Sequence, residues 1–280
     1  MAAYIAYLGP SGSYTEDAAI ACAAWLTEST RKEISLVPFS SISQALKATQ
    51  NGQTQFSVVP VENSIEGSVT TTLDTLWHLE SLQVQRALVL PISHALISCA
   101  PTSEAIQRVY SHPQALAQCQ GWLERVMPHA KLIPTSSNTE ALQRLRDEVV
   151  AGAIASQRAA DLYQLPVLAH PINDYPDNCT RFWILSLQPS PGGRYTSLGF
   201  SVPANLPGAL VKPLQVFAER GINLSRIESR PTKRSLGDYL FFVDIEADAS
   251  SLAVQDALSA LATYTETLKI FGSYPIMPIN

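Results

Sequence analysis

The sequence predicts an α/β protein built in two parts, and three observations predict it. From residue 4 to about residue 187, short β-branched or aromatic runs alternate with stretches whose apolar residues recur at helical spacing. A break at 188–197, "QPSPGGRYTS", then interrupts both periodicities with two prolines and two glycines. Beyond it, 198–280 reads strand, helix, strand, strand, helix, strand, the ferredoxin-like order.

Each element has its own justification in sequence. "YIAYL" (4–8) opens as a strand, followed by helical spacing over Thr15–Thr27 and Ile42–Thr49. "FSVVPV" (56–61) is a strand and Thr70–His78 a helix; "LVLPISHALIS" (88–98) reads as one long strand. "RVYS" (108–111), "KLIP" (131–134) and "GAIAS" (152–156) alternate with helices over Gln114–Val126, Thr139–Val149 and Ser156–Tyr163, and "TRFWILSL" (180–187) closes the region. Such alternation implies largely parallel sheets, with ligands where strand ends meet helix starts. After the break, "LGFSVPA" (198–204) is a strand and "PGALVKPLQVFAERG" (207–221) a helix stopped by Gly221. "INLSRIESRP" (222–231) and "GDYLFFVDIEA" (237–247) are strands, "SLAVQDALSALATY" (251–264) a helix and "TLKIFGSYP" (267–275) the last strand.

Composition narrows the function. The chain is 46% hydrophobic and 15% charged, with a formal charge of −5 and no basic stripe, which argues against nucleic acid as a partner. No apolar run reaches membrane-spanning length. The start runs almost directly into a strand without a leader pattern, so a cytoplasmic location is expected. Cys22, Cys99, Cys119 and Cys179 form no CxxC pair, so buried reduced thiols are expected rather than a zinc site.

The segment "SHPQALAQC" (111–119) concentrates hydroxyl, imidazole, amide and thiol groups. His112 and Cys119 are seven apart, about two helical turns, so they cannot touch as a nucleophile and its base. Pro113 suits the first helical position, which makes His112 the cap and places Gln114 and Gln118 on one face. A capped, solvated helix end is the simpler reading of this stretch alone. The same chemistry recurs, however, in "GPSGSYTEDAA" (9–19), "PVENSIEGSV" (60–69) and "NCTRF" (178–182). Four neutral, donor-rich segments at strand ends suggest a cleft for a small carboxylate-bearing molecule.

These four motifs, with "GAL" (208–210) and "INLSRIESRP" in the tail, resemble the prephenate dehydratase family in order and spacing over nearly the whole chain. The resemblance implies two α/β subdomains around a cleft, similar to periplasmic binding proteins, over 1–187, a linker at 188–197, and an ACT regulatory domain over 198–280. It implies conversion of prephenate to phenylpyruvate, water and carbon dioxide, with L-phenylalanine as feedback effector at the interface of a homodimer or homotetramer. No metal, organic cofactor or covalent nucleophile is needed for that chemistry. By resemblance Thr180 sits at the leaving hydroxyl, and Asn63, Ser111 and Gln118 match active-site positions that orient substrate. Arg181 would pair with a substrate carboxylate, although a structural ion pair is the other reading. Ser11, Thr15, Ser64 and Phe182 complete the expected substrate-binding set, and Glu62 reads equally as a buried acid or a structural residue. Gly208, Ala209, Leu210, Asn223 and Leu224 match effector-binding elements, joined by Glu228 and Ser229. Strand alternation sends Glu228 and Arg230 to one face and Ser229 to the other. The first motif begins at residue 9, so no fused chorismate mutase is expected. An arogenate dehydratase, or a non-catalytic amino-acid sensor, would share these features.

Overall fold

The computed structural model describes residues 3–277; residues 1–2 and 278–280 of the expected terminal units lie outside the described residues. The first lobe holds β1 (Ala3–Leu8), α1 (Tyr14–Thr30), β2 (Ile34–Phe39), α2 (Ile42–Gln50), β3 (Phe56–Asn63), β4 (Gly67–Ser68), α3 (Thr70–His78) and β5 (Gln83–Pro91). The chain crosses to a second lobe of β6 (His94–Ser98), β7 (Arg108–Ser111), α4 (Pro113–Gln118), α5 (Gln120–Val126), β8 (Lys131–Pro134), α6 (Asn138–Arg144), β9 (Ala151–Ser156), α7 (Gln157–Tyr163) and β10 (Val167–Ala169). It returns to the first lobe as β11 (Cys179–Ser186). The C-terminal domain is β12 (Tyr195–Ser201), α8 (Val211–Ala218), β13 (Leu224–Pro231), β14 (Tyr239–Ile245), α9 (Leu252–Ala262) and β15 (Thr267–Tyr274), after which β16 (Ile276–Met277) rejoins the first lobe.

Three sheets follow. The first lobe's strands run β16-β5-β11-β3-β1-β2, the second lobe's β10-β6-β9-β7-β8, and the C-terminal domain's β13-β14-β12-β15. Helix starts are set by side-chain caps: Ser13 accepts from the Glu16 N–H, Ser137 from Glu140 and Ser156 from Ala159. On one face of the first sheet, α1 buries Ala18, Ala19, Cys22 and Leu26 against Ile5, Tyr7 and Val58. The opposite face is covered by α2, α3 and the C-terminal sheet in one continuous core. Strand β14 explains this: Leu240 and Phe242 enter that shared core, while Val243 and Ile245 pack under α8 and α9. Phe242 stacks on Phe271 at 5.9 Å, and truncating either is expected to cost about 3–5 kcal/mol. Gly199 permits the approach, because a Cβ there would meet Trp77, Phe242 and Phe271 at 3.2–3.3 Å.

Several elements differ from the sequence expectation. The run 88–98 is two strands in different lobes, broken where Pro91 lacks an N–H and the chain crosses between sheets. The helix expected over 114–126 breaks at Cys119 into α4 and α5, and α6 ends at Arg144 rather than Val149. Strand β2 was not expected; Pro38 argues against a central strand, and β2 is indeed an edge. Strand β12 begins at Tyr195, inside the stretch expected as linker, where Tyr195 stacks on Tyr274.

Candidate active site

A cleft of about 1000 Å³ separates the two lobes, lined by strand ends and helix starts from both. The structure brings Ser11, Thr15, Asn63, Gln118, Thr180 and Phe182 to this one cleft. Among the described residues, no lysine or arginine lines it. Its polar surface consists of hydroxyls, amides, imidazoles, the Glu140 carboxylate and the backbone N–H groups at helix starts.

Asn63 and Thr180 face each other as direct partners of the antiparallel β3/β11 pair. The Asn63 side chain is buried, and its orientation is fixed: Oδ1 accepts from the backbone N–H of Ile65 and of Glu66, each at 3.0 Å. Its Nδ2 must therefore donate: its two hydrogens go to Asn178 Oδ1 at 2.8 Å and Thr180 Oγ1 at 2.9 Å, with the Cys179 carbonyl at 3.1 Å sharing one of them. With Oγ1 receiving that bond, the Thr180 hydroxyl keeps its own proton available as a donor.

The same constraint propagates across the cleft. Asn178 Oδ1 accepts, so Asn178 Nδ2 donates to Gln118 Oε1 at 2.9 Å. Gln118 Oε1 also lies 3.0 Å from His94 Nε2, which must then carry a proton. Burial lowers the His94 pKa, more than its bond to Gln118 raises it, so the ring is neutral and Nδ1 accepts. The Tyr14 hydroxyl donates its single proton to the Ser93 carbonyl at 2.7 Å, with Nδ1 beside it at 3.1 Å as the competing acceptor. Two backbone N–H groups at 65–66 thus set the polarity of a network that runs from Asn63 in the first lobe to His94 in the second.

Other expected residues lie elsewhere. Ser111 is fully buried and donates to the Ile154 carbonyl at 2.6 Å; it sits 3.1 Å from Asn138 Oδ1, so it supports a cleft residue rather than lining the cleft. Ser64 is exposed, and its Oγ accepts from the Cys179 N–H at 3.0 Å, stapling the β3 turn to β11. Arg181 points away from the cleft, to Glu62 at 3.5 Å and Asp244 of the C-terminal domain at 3.4 Å. Alternation along β11 is the reason: its neighbours Thr180 and Phe182 take the cleft side. His112 does line the cleft while capping α4, where it accepts from the Gln114 N–H at 3.3 Å, and Cys119 packs in the second lobe's core. His94 and Asn138, which line the cleft, are not among the residues the sequence marks. Asn178 lay inside the "NCTRF" motif, whereas His94 was hidden in a run read as one strand.

The lobes are latched beside the cleft. Arg158 of α7 pairs with Glu16 and Asp17 of α1, while Glu16 accepts from the Gly12 N–H at 2.7 Å and the Tyr7 hydroxyl at 2.9 Å. Burial pushes the Glu16 carboxyl up, but Arg158, the Gly12 N–H and Tyr7 together hold it below its ordinary value. Gly12 has φ +85°, and a Cβ there would meet Thr139 of the second lobe at 2.9 Å.

Fold and site together define a two-lobed α/β protein with a cation-free cleft and a ferredoxin-like domain packed on one lobe. The prephenate dehydratase family model matches residues 5–190, and the ACT domain model matches residues 196–263. The prephenate dehydratase of Lactococcus lactis subsp. cremoris is 36% identical over 99% of both chains. The crystal structure of prephenate dehydratase from Arthrobacter aurescens, in complex with L-Phe, superposes with a TM-score of 0.85 at 33% identity, covering 99% of this chain and 92% of that one. The quorum-quenching acylase GqqA superposes with a TM-score of 0.80 at 27% identity, covering 98% of each chain. The chain belongs to the prephenate dehydratase family. It is a lyase of that family with an ACT domain. A hydrolase's paired nucleophile is not seen in the cleft: among the described residues, no serine or threonine lining it is hydrogen-bonded to a histidine. The Ser93–His170 bond (2.8 Å) lies outside it.

Proposed function

We propose that the interlobe cleft performs the decarboxylating dehydration of prephenate, with Thr180 as hydrogen-bond donor to the departing hydroxyl. The observation that carries this reading is the Asn63 Nδ2 donation to Thr180 Oγ1, which leaves the Thr180 proton for the substrate. In the reaction the ring carboxylate leaves as carbon dioxide and its bonding electrons move into the ring. The para C–O bond breaks, and the departing hydroxide takes a proton to become water. A threonine hydroxyl is far too weak an acid to supply that proton outright. It stabilises the charge that develops on the leaving oxygen, an effect worth about 2.7–4 kcal/mol where one such donor is removed. Gln118 faces the cleft from the second lobe, and Asn178 and His94 hold its side-chain oxygen in turn.

A cation-free cleft suits this chemistry. The side-chain carboxylate can be met by N–H groups at the start of α1, beside Ser11 and Thr15. The ring carboxylate, without a cation to pair with, is desolvated in the state from which it must depart. Phenylpyruvate formation from prephenate by the full chain tests this reading, with arogenate as the competing substrate. Turnover of arogenate alone would reassign the enzyme to the amino-acid analogue.

Regulation by L-phenylalanine, binding in the C-terminal domain of an oligomer, is part of the proposal. Gly208, Ala209 and Leu210 precede α8, whereas Asn223 and Leu224 follow it. An eight-residue helix is about 12 Å long, so the two groups lie at opposite ends of α8. One small amino acid cannot span both, which supports a site completed by a second copy of the chain. Glu228 is half-buried and Ser229 exposed, on opposite faces of β13. Among the described residues no helix is long and apolar enough to cross a membrane, and a cytoplasmic location is the reading that suits the substrate.

A further inference from the structure

The residues that back the catalytic pair form a chain of charges into the C-terminal domain. Glu62 and Arg181 are cross-strand partners one step along from the partners Asn63 and Thr180. Alternation sends the second pair into the cleft and the first pair to the opposite face. There Arg181 Nη1 reaches Glu62 at 3.5 Å and Asp244 at 3.4 Å. Asp244 of β14 is fully buried, and Arg226 of β13 grips it with two nitrogens, at 2.8 and 3.2 Å. Ser197 donates to the same carboxylate at 2.5 Å, and the Arg226 guanidinium lies 5.5 Å from the ring centre of Trp183, itself on β11.

Two features separate this cluster from an ordinary ion pair. It sits beside Phe242 and Leu240 in an apolar domain interface, where buried charges seldom add stability over well-packed apolar groups. Its two arginines are also held unequally: Arg181 uses one nitrogen at long range and leaves Nε unpartnered, whereas Arg226 is held bidentately. Movement of β13, which carries Arg226 between Leu224 and Glu228, would therefore shift Asp244 against Arg181 and so against the backbone of Thr180.

We propose that Arg181 is a positioning residue, which holds the catalytic faces of β3 and β11 in a geometry set by the C-terminal domain through the chain Glu62–Arg181–Asp244–Arg226. The regulatory arm of this inference rests on the reading of L-phenylalanine as effector.

The test uses the full chain with R181Q, D244N, their double mutant and R181K, read as kcat and KM for prephenate with unfolding midpoints alongside. R181Q and D244N should each lower kcat about ten-fold with KM within about three-fold of the parent, and the double mutant should fall no further than the worse single. Because Arg181 uses one nitrogen, R181K should recover about half of kcat or more. Should D244N fail to fold, E62Q takes its place in the cycle. A rise in KM for R181Q with D244N kinetically silent would overturn the proposal, since Arg181 would then be touching substrate. Multiplying losses in the double mutant, or lowered midpoints with unchanged kcat, would overturn it as well. In the regulatory arm, R181Q should bind L-phenylalanine like the parent in equilibrium dialysis yet resist inhibition. A parent chain indifferent to phenylalanine would sink the effector reading, while the kcat cycle would still decide the role of Arg181.

Discussion

Replacing Asn63 with aspartate reverses the polarity of the Asn63–Thr180 hydrogen bond while keeping the side chain's shape. The Oδ1 atom continues to accept from Ile65 and Glu66, now with charge assistance. The three contacts of Nδ2, at 2.8, 2.9 and 3.1 Å, become contacts between acceptors. The Thr180 hydroxyl then turns to the new carboxylate and is lost to the substrate. That is the removal of one transition-state donor, about 2.7–4 kcal/mol, or a kcat lower by about 10²–10³-fold. Stability should fall less, by about 1–3 kcal/mol, from the unmatched acceptors. The assay is phenylpyruvate formation at saturating prephenate, with urea unfolding in parallel. Acidification should restore part of kcat in N63D, because the protonated carboxyl can donate again. N63A, which frees both turn N–H groups, should lose activity without that acid recovery. An N63D enzyme with kcat within about three-fold of the parent would refute the assignment of the Asn63–Thr180 bond.

The interlobe latch and the thiols give two further expectations. R158M strands Glu16, whose side chain is 11% exposed, and should cost about 1–3 kcal/mol, discounted because Arg158 itself is about a third exposed. Glu16's carboxyl is held below its ordinary value, so its contribution is present above the unfolded value and is lost as pH falls through the folded one. Asp17, raised by burial, partly opposes this. R158M should thus flatten the acid limb of stability against pH, and an unchanged limb in urea titrations would count against the latch. Cys22 and Cys119 are buried with thiols pushed up to about 12, whereas Cys99 is exposed. Thiol labelling of the native protein should modify Cys99 first and reach Cys22 and Cys119 only on unfolding, and rapid labelling of Cys119 would contradict its place in the core.

Much of the site was legible because its residues sit in short motifs at strand ends. "PVENS" and "NCTRF" hold both halves of the Asn63–Thr180 pair, and "SHPQALAQC" places Gln118 one helical turn from Gln114 on the cleft face. What could not be read was which face each residue takes. Arg181, chemically the natural carboxylate ligand, is turned outward by strand alternation beside Thr180, and only the packing of a second domain on that face gives its charge a partner. Ser111 reads as a cleft hydroxyl but ends inside the second lobe, where the Ile154 carbonyl accepts its hydrogen bond. His94 was lost for a topological reason: Pro91 divides an apolar run between two sheets, and no local pattern marks that crossing. The same limit hid β2, whose Pro38 is tolerated only because the strand is an edge.

The most direct test of the central claim compares T180A and T180S with the parent for prephenate turnover and for prephenate binding by calorimetry. T180A should lower kcat by about 10²-fold or more with the dissociation constant within about three-fold, and T180S, which keeps the hydroxyl, should recover most of the rate. Equal loss of binding and turnover in T180A, or a fully active T180A, would contradict the role given to the Thr180 hydroxyl.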